Sequence, residues 1–135
     1  MAKRKRQCPV CMEGHLERSA KQIKLEHLGY SSTVDSTALW CDTCDEGIYE
    51  GKEAVKADEQ LGEFYEQIRD EIARDIKRIR LKLNLKQEEA GRIFGGGKNA
   101  FSRYETMQAE PPRSTVLLLG LLDKNPDLLK QLPRN

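Results

Sequence analysis

Between positions 61 and 83 the apolar residues Leu61, Phe64, Ile68, Ile72, Ile76, Ile79 and Leu83 recur every three or four residues. That is the period of a helix with one buried face. Gly62 weakens the first part, so the pattern predicts a linker helix or hinge over 52–69 and the first helix of a second domain near 70–83. Asn84 breaks that helix. A short second helix follows from Gln87 to Phe94, with Leu85, Ala90, Ile93 and Phe94 as its apolar face. Glu88 and Glu89 lie in its first turn, where the helix dipole favours acids. Gly95-Gly96-Gly97 then permits a sharp turn, because glycine reaches positive φ at little steric cost. A third helix is predicted over Lys98 to Thr106. Pro111-Pro112 is a stop, and Ser114 reads as the N-cap of a fourth helix bearing Val116, Leu117, Leu119, Leu121 and Leu122. Asn125-Pro126 restarts a short fifth helix through Leu128, Leu129 and Leu132.

The first fifty residues are patterned differently. Gln22-Ile23-Lys24-Leu25 alternates, and Tyr30 to Val34 and Thr37 to Trp40 read as further short strands. The predicted fold class is α+β: a small N-terminal domain with short strands, then an all-α five-helix domain. The expected boundaries are a basic leader over 1–7, the strand-bearing domain over 8–51, the linker helix over 52–69 and the helical domain over 70–135.

The chain has 135 residues, 33% of them charged and 38% hydrophobic, as in a soluble protein. No apolar run approaches the about 18 residues that a membrane span needs. The basic start, MAKRKRQCP, has no apolar stretch behind it, so no secretory signal is expected and a cytoplasmic location is the default. The net charge of +1 hides an asymmetry. Residues 8–50 hold three basic and eight acidic side chains, whereas 74–103 hold nine basic and three acidic ones. One part suits a basic partner and the other a polyanion; two solvated faces are the plainer account.

All four cysteines fall in the first part, as Cys8-Pro9-Val10-Cys11 and Cys41-Asp42-Thr43-Cys44. Two CxxC pairs are the common spacing of a tetrahedral four-cysteine zinc site. Disulfides would need an oxidising compartment that nothing here suggests. A redox CxxC would open a helix in a βαβ unit that the pattern lacks. A closed shell of four thiolates makes the expected zinc structural rather than catalytic. A module of about 45 residues is near the limit for folding on an apolar core alone, so metal binding and folding should be coupled. His15 and His27 are read as ordinary histidines. For Trp40, packing in the small core and a role in partner binding both stand.

The third helix carries the clearest chemistry. Asn99 and Arg103 lie four residues apart and share a face. Asn can bond bidentately to adenine in the major groove and Arg to guanine. Helix, turn and base-reading helix predict a helix-turn-helix. Lys98, Ser102 and Gln87 lie where phosphate contacts are common, and such contacts position without specifying sequence. Phe101 and Tyr104 should pack against Ile93 and Ile79. The triple glycine is not a phosphate-cradling loop, because Lys98 is followed by Asn99 rather than Ser or Thr. The leucine surplus after residue 115 fits a dimer interface and fits core packing equally well. No nucleophile, carboxylate pair or open metal shell points to an enzyme.

The CPVC knuckle, the second CxxC pair and the stretch FGGGKNAFSRYE together resemble the MqsA family of antitoxins over nearly the whole chain. The resemblance implies an N-terminal zinc domain that binds a ribonuclease toxin. It also implies a C-terminal helix-turn-helix domain that dimerises on a palindrome at its own promoter. Carried over by position, Cys8, Cys11, Cys41 and Cys44 would bind structural zinc, and Asn99 and Arg103 would read bases. A zinc-stabilised helix-turn-helix regulator without a toxin is the second reading. The chain departs from the family in its leader, Lys3-Arg4-Lys5-Arg6, a nucleic-acid arm or a disordered tail. It departs again at Thr106-Met107, where such domains often place a glycine turn.

Overall fold

The computed structural model describes residues 4–134. Four strands form one sheet in the order β1-β2-β3-β4: β1 (Arg6–Gln7), β2 (His15–His27), β3 (Tyr30–Cys41) and β4 (Gly47–Ile48). Then come α1 (Lys52–Lys82), α2 (Gln87–Phe94), α3 (Ala100–Glu105), α4 (Arg113–Lys124) and a 3-10 helix over Pro126–Gln131. Two compact units emerge. One takes the chain up to Glu26 with Ser31–Phe64; the other takes His27–Tyr30 and the chain from Tyr65 onward.

The first unit is built on a long hairpin. Its strands run 13 and 12 residues, well beyond the predicted short ones, and residues 30–34 and 37–40 belong to a single strand. The extra length lies in stretches such as His15–Ala20, which have no apolar alternation and are held by backbone pairing. The tip is Leu28-Gly29, with φ of 52° and 85°. Positive φ at both central residues is the signature of a two-residue hairpin turn. The leader is part of the sheet rather than a tail from Arg6 onward: Arg6 pairs with Leu16, and its guanidinium meets Glu50. Lys3 lies outside the described residues.

The second unit is helical apart from residues 27–30. Its core is Ile72, Ile76, Ile79, Leu83 and Leu85 with Ala90, Phe101, Tyr104, Val116, Leu119, Leu122 and Leu129. Leu28 packs against that cluster, which compensates for its left-handed backbone. Helix α1 is one unbroken element of 31 residues, so the stretch read as a linker helix or hinge and the helix expected near 70–83 are continuous. Gly62 sits on an open face, where a Cβ would meet nothing within 4 Å, so it lowers helix propensity without disturbing packing.

Helices α1 and α3 end alike. Leu85 N–H reaches back to Arg80 and Asn84 N–H to Leu81 (3.1 and 3.0 Å). Gln108 N–H reaches Arg103 and Met107 N–H reaches Tyr104 (2.9 and 3.3 Å). Each is a Schellman motif with a left-handed residue at its hinge: Asn84 at φ 57° and Met107 at φ 61°. The third loop thus keeps the geometry that glycine normally supplies, with methionine in its place. Helix α4 starts two residues earlier than expected. Pro112 stands at the N-cap and Ser114 lies inside the first turn. The last of the five predicted helices is a 3-10 helix.

Candidate metal centre and nucleic-acid interface

The hairpin and its flanks bring the two knuckles together. Cys8, Cys11, Cys41 and Cys44 place their sulfurs within 4.8 Å of one another, and no histidine joins them among the described residues. Two sulfur–sulfur contacts are 3.7 Å, Cys8 to Cys44 and Cys11 to Cys41. The knuckles repeat the same local design. Val10 N–H points at Cys8 Sγ and Thr43 N–H at Cys41 Sγ (3.4 and 3.3 Å). The residue after each second cysteine, Met12 or Asp45, has φ of 62°. Gly14 leaves room for the cluster, since a Cβ there would sit 2.3 Å from Cys41 Sγ.

Backbone N–H groups favour thiolates. The Gly14 N–H, and next that of Glu13, pull Cys11 down to about 7. Cys44 is pushed up to about 12: the Glu46 N–H favours its thiolate, but burial and sharing with three other sulfurs outweigh it. Four sulfurs this close could hold one metal ion between them. Asp42 braces the cluster by accepting the His15 N–H at 2.9 Å, a bond that also holds its carboxyl below the usual range.

Trp40 is not in the small core, which is Cys8, Leu16 and Cys41 with Cys11, Leu39, Cys44 and Ile48. Its ring lies over Gly47, with Tyr49 edge-on and the Lys21 ammonium 5.0 Å above it. His15 is exposed, and His27 stacks edge-on against Tyr65 at 5.3 Å.

The second candidate site is α3. Ala100, Phe101 and Tyr104 point inward and are at most 8% exposed. Lys98, Asn99, Ser102 and Arg103 are exposed. Arg103 N–H bonds to Asn99 carbonyl at 3.2 Å, so the two are one turn apart on the same face. Asn99 is the N-cap, immediately before the helix. Among the described residues, none of these four side chains is spent on an internal hydrogen bond; Ser102 gives only its backbone carbonyl, to Thr106.

The turn before α3 depends on glycine. Gly95, Gly96 and Gly97 have φ of 93°, 92° and 88°, and ψ of Gly95 is 176°, a region only glycine enters readily. Gly91 lets α2 press against this turn, as a Cβ there would come within 2.1 Å of Gly97 carbonyl.

A buried carboxylate then fixes the helix from the other end. Glu105 Oε1 accepts Arg80 Nε and Nη2 at 3.1 and 2.8 Å, and Oε2 accepts Gln87 Nε2 at 2.9 Å. Arg80 Nη1 also donates to Leu85 carbonyl. Gln87, expected at a phosphate, thus already braces Glu105 with one N–H; its amide has a second to offer. Sequence reasoning missed this network. Its signal is Arg80 standing four residues after Ile76 on the face that should be apolar.

Residues 6–133 match the family described as the antitoxin component of bacterial toxin–antitoxin systems, MqsA. Antitoxin MqsA of Escherichia coli (strain K12) is 38% identical over 128 residues, covering 93% of this chain and 98% of that one. Among the described residues, no helix is long and apolar enough to cross a membrane. The chain belongs to the MqsA family of antitoxins.

Proposed function

We propose that this antitoxin represses its own operon by placing α3 in the major groove of a palindromic operator, and that its N-terminal unit, closed by structural zinc, neutralises a ribonuclease toxin. The observation that carries the DNA reading is the exposed, internally unbonded set Lys98, Asn99, Ser102 and Arg103 on a helix anchored at both ends. Asn99 and Arg103 read base edges. Lys98, Ser102 and the free N–H of Gln87 take phosphates.

Zinc is supported by spacing as well as ligand type. Four sulfurs about 2.3 Å from a tetrahedral ion lie about 3.8 Å apart, against 3.7 Å for the two contacts here. The zinc would supply a rigid crosslink and no reaction. Cys8, Cys11, Cys41 and Cys44 fill its shell.

The leucines support a homodimer. Leu117, Leu121 and Leu128 stay exposed at 44%, 58% and 42%, beside an open Gly120. Two copies joined there would match a two-fold operator. Membership in an antitoxin family favours a toxin partner over the reading as a stand-alone regulator. The acidic charge of residues 8–50 complements a basic ribonuclease. The proposed compartment is the cytoplasm, where both the operator and the toxin's RNA are found.

The DNA reading is tested by titrating a labelled duplex from upstream of this gene, at several salt concentrations, against a shuffled duplex. The native duplex should bind at least roughly 1,000-fold more tightly. Equal affinity for both duplexes would contradict operator recognition.

A further inference from the structure

The two 3.7 Å sulfur contacts both run between knuckles, and each joins a buried cysteine to a half-buried one. Cys8 (0% exposed) faces Cys44, and Cys41 (2% exposed) faces Cys11. The knuckles are also held against each other without the sulfurs. Cys8 N–H bonds Gly14 carbonyl and Cys41 N–H bonds Glu46 carbonyl, each closing its own knuckle, at 2.8 and 2.9 Å; Asp42 N–H crosses to His15 carbonyl at 3.1 Å and His15 N–H to Asp42 Oδ1 at 2.9 Å.

We propose that hydrogen peroxide converts this cluster into two disulfides that cross between the knuckles, Cys8–Cys44 and Cys11–Cys41, replacing a metal-held end of the sheet with a covalently held one. The proposal rests on the metal reading above. Oxidation starts at the sulfurs that solvent reaches, because access governs susceptibility. The thiolate of Cys44 or Cys11 attacks one peroxide oxygen and the O–O bond breaks. One oxygen leaves as water after taking a proton; the other stays on sulfur as a sulfenic acid. The buried thiolate facing it then attacks that sulfur. The S–O bond breaks, hydroxide leaves as water with a second proton, and the S–S bond forms. Each disulfide thus takes two electrons from two thiolates, reduces one peroxide and consumes two protons. Two rounds remove all four thiolates, so no ligand for the ion remains.

The pairing decides the outcome for the fold. The crossed bonds span sequence separations of 36 and 30 residues and tie the β1–β2 end to the β3–β4 end, as the metal does. Bonds within the knuckles, Cys8–Cys11 and Cys41–Cys44, would release one knuckle from the other. The crossed pair therefore lets the N-terminal unit survive oxidation and return to the metal-binding form when thiol reductants reappear.

The test is to treat the full chain with two equivalents of hydrogen peroxide, without added thiol. Non-reducing peptide mapping then gives the connectivity, a chromogenic chelator reads released metal, and hydrogen exchange follows the β2–β3 amides. The expected result is one metal ion released per chain, the 8–44 and 11–41 links, and hairpin amides still protected; dithiothreitol should reverse all three. Links within the knuckles, sulfinic acids without disulfides, or loss of hairpin protection would each overturn the proposal. Metal content before treatment tests the metal reading separately. If it is zero that reading fails, and the peptide map of the same oxidised chain still decides the pairing. The double variant Cys8→Ser/Cys44→Ser should form only the 11–41 link with one equivalent; links between molecules instead would count against it.

Discussion

Glu105, the last residue of α3, forms a buried ion pair with Arg80 of α1, the guanidinium Nη2 lying 2.8 Å from Oε1 with both side chains at most 10% exposed. With Gln87 of α2 on its other oxygen, one carboxylate ties three helices together. The angle of the exposed face of α3 is set from behind by this network.

Glu105→Ala leaves the Arg80 charge buried without its partner. Stranding one member of a buried pair costs about 3–5 kcal/mol, read from denaturant-dependent hydrogen exchange of the α3 amides. Replacing both, as in Arg80→Met with Glu105→Leu, should recover most of that loss, because an apolar pair needs no desolvation of charge. A single variant as stable as the native chain would mean that the pair does not anchor α3.

Acid should loosen the helical unit through Asp123. Arg78 first, and then Lys82, hold its carboxyl far below the usual carboxylate range, with contacts of 2.9 and 3.0 Å. Unfolded Asp titrates near 3.9, so the unfolded chain takes the proton first. The contribution is complete above about pH 5 and is lost as pH falls toward the depressed folded value. Stability against pH should therefore fall less steeply below pH 5 in Asp123→Asn. Identical slopes would show that this carboxylate is not linked to folding.

Cys41→Ser removes one of four sulfurs from a cluster with little other core. Bound metal should drop from one equivalent to well below one, and the β2–β3 amides should lose protection. The α3 amides and operator binding should persist, since the helical unit has its own core. Unchanged metal content would remove Cys41 from the ligand set.

Asn99→Ala and Arg103→Ala should each cost roughly 1–3 kcal/mol of operator binding and relax specificity at one base pair. Their folding should be unaffected, because both side chains are exposed. Equal weakening on operator and random duplexes would make them phosphate contacts instead of base readers.

What the chain reveals in advance depends on how local the cause is. The clustering of the four cysteines is legible because they fall in two tight CxxC pairs, and α2 is legible from its apolar period and its acidic first turn. The Asn84 break is legible because Asn tolerates the left-handed hinge. The Glu105–Arg80 link is not, since it joins residues 25 positions apart and each charge alone reads as solvated. The full hairpin is also hidden. Pairing between β2 and β3 carries polar stretches that have no apolar alternation, and Leu28 accepts a left-handed backbone only because a core lies against it. Pro112 replaced Ser114 as the cap of α4 because a fixed φ of −58° already suits a helix start.

Toxin neutralisation by this chain is tested by co-expressing it with the product of the adjacent gene. The two proteins should co-purify, and ribonuclease activity should appear only when this chain is removed from the complex. A neighbouring product that neither binds this chain nor cleaves RNA would rule out the proposed neutralisation of a ribonuclease.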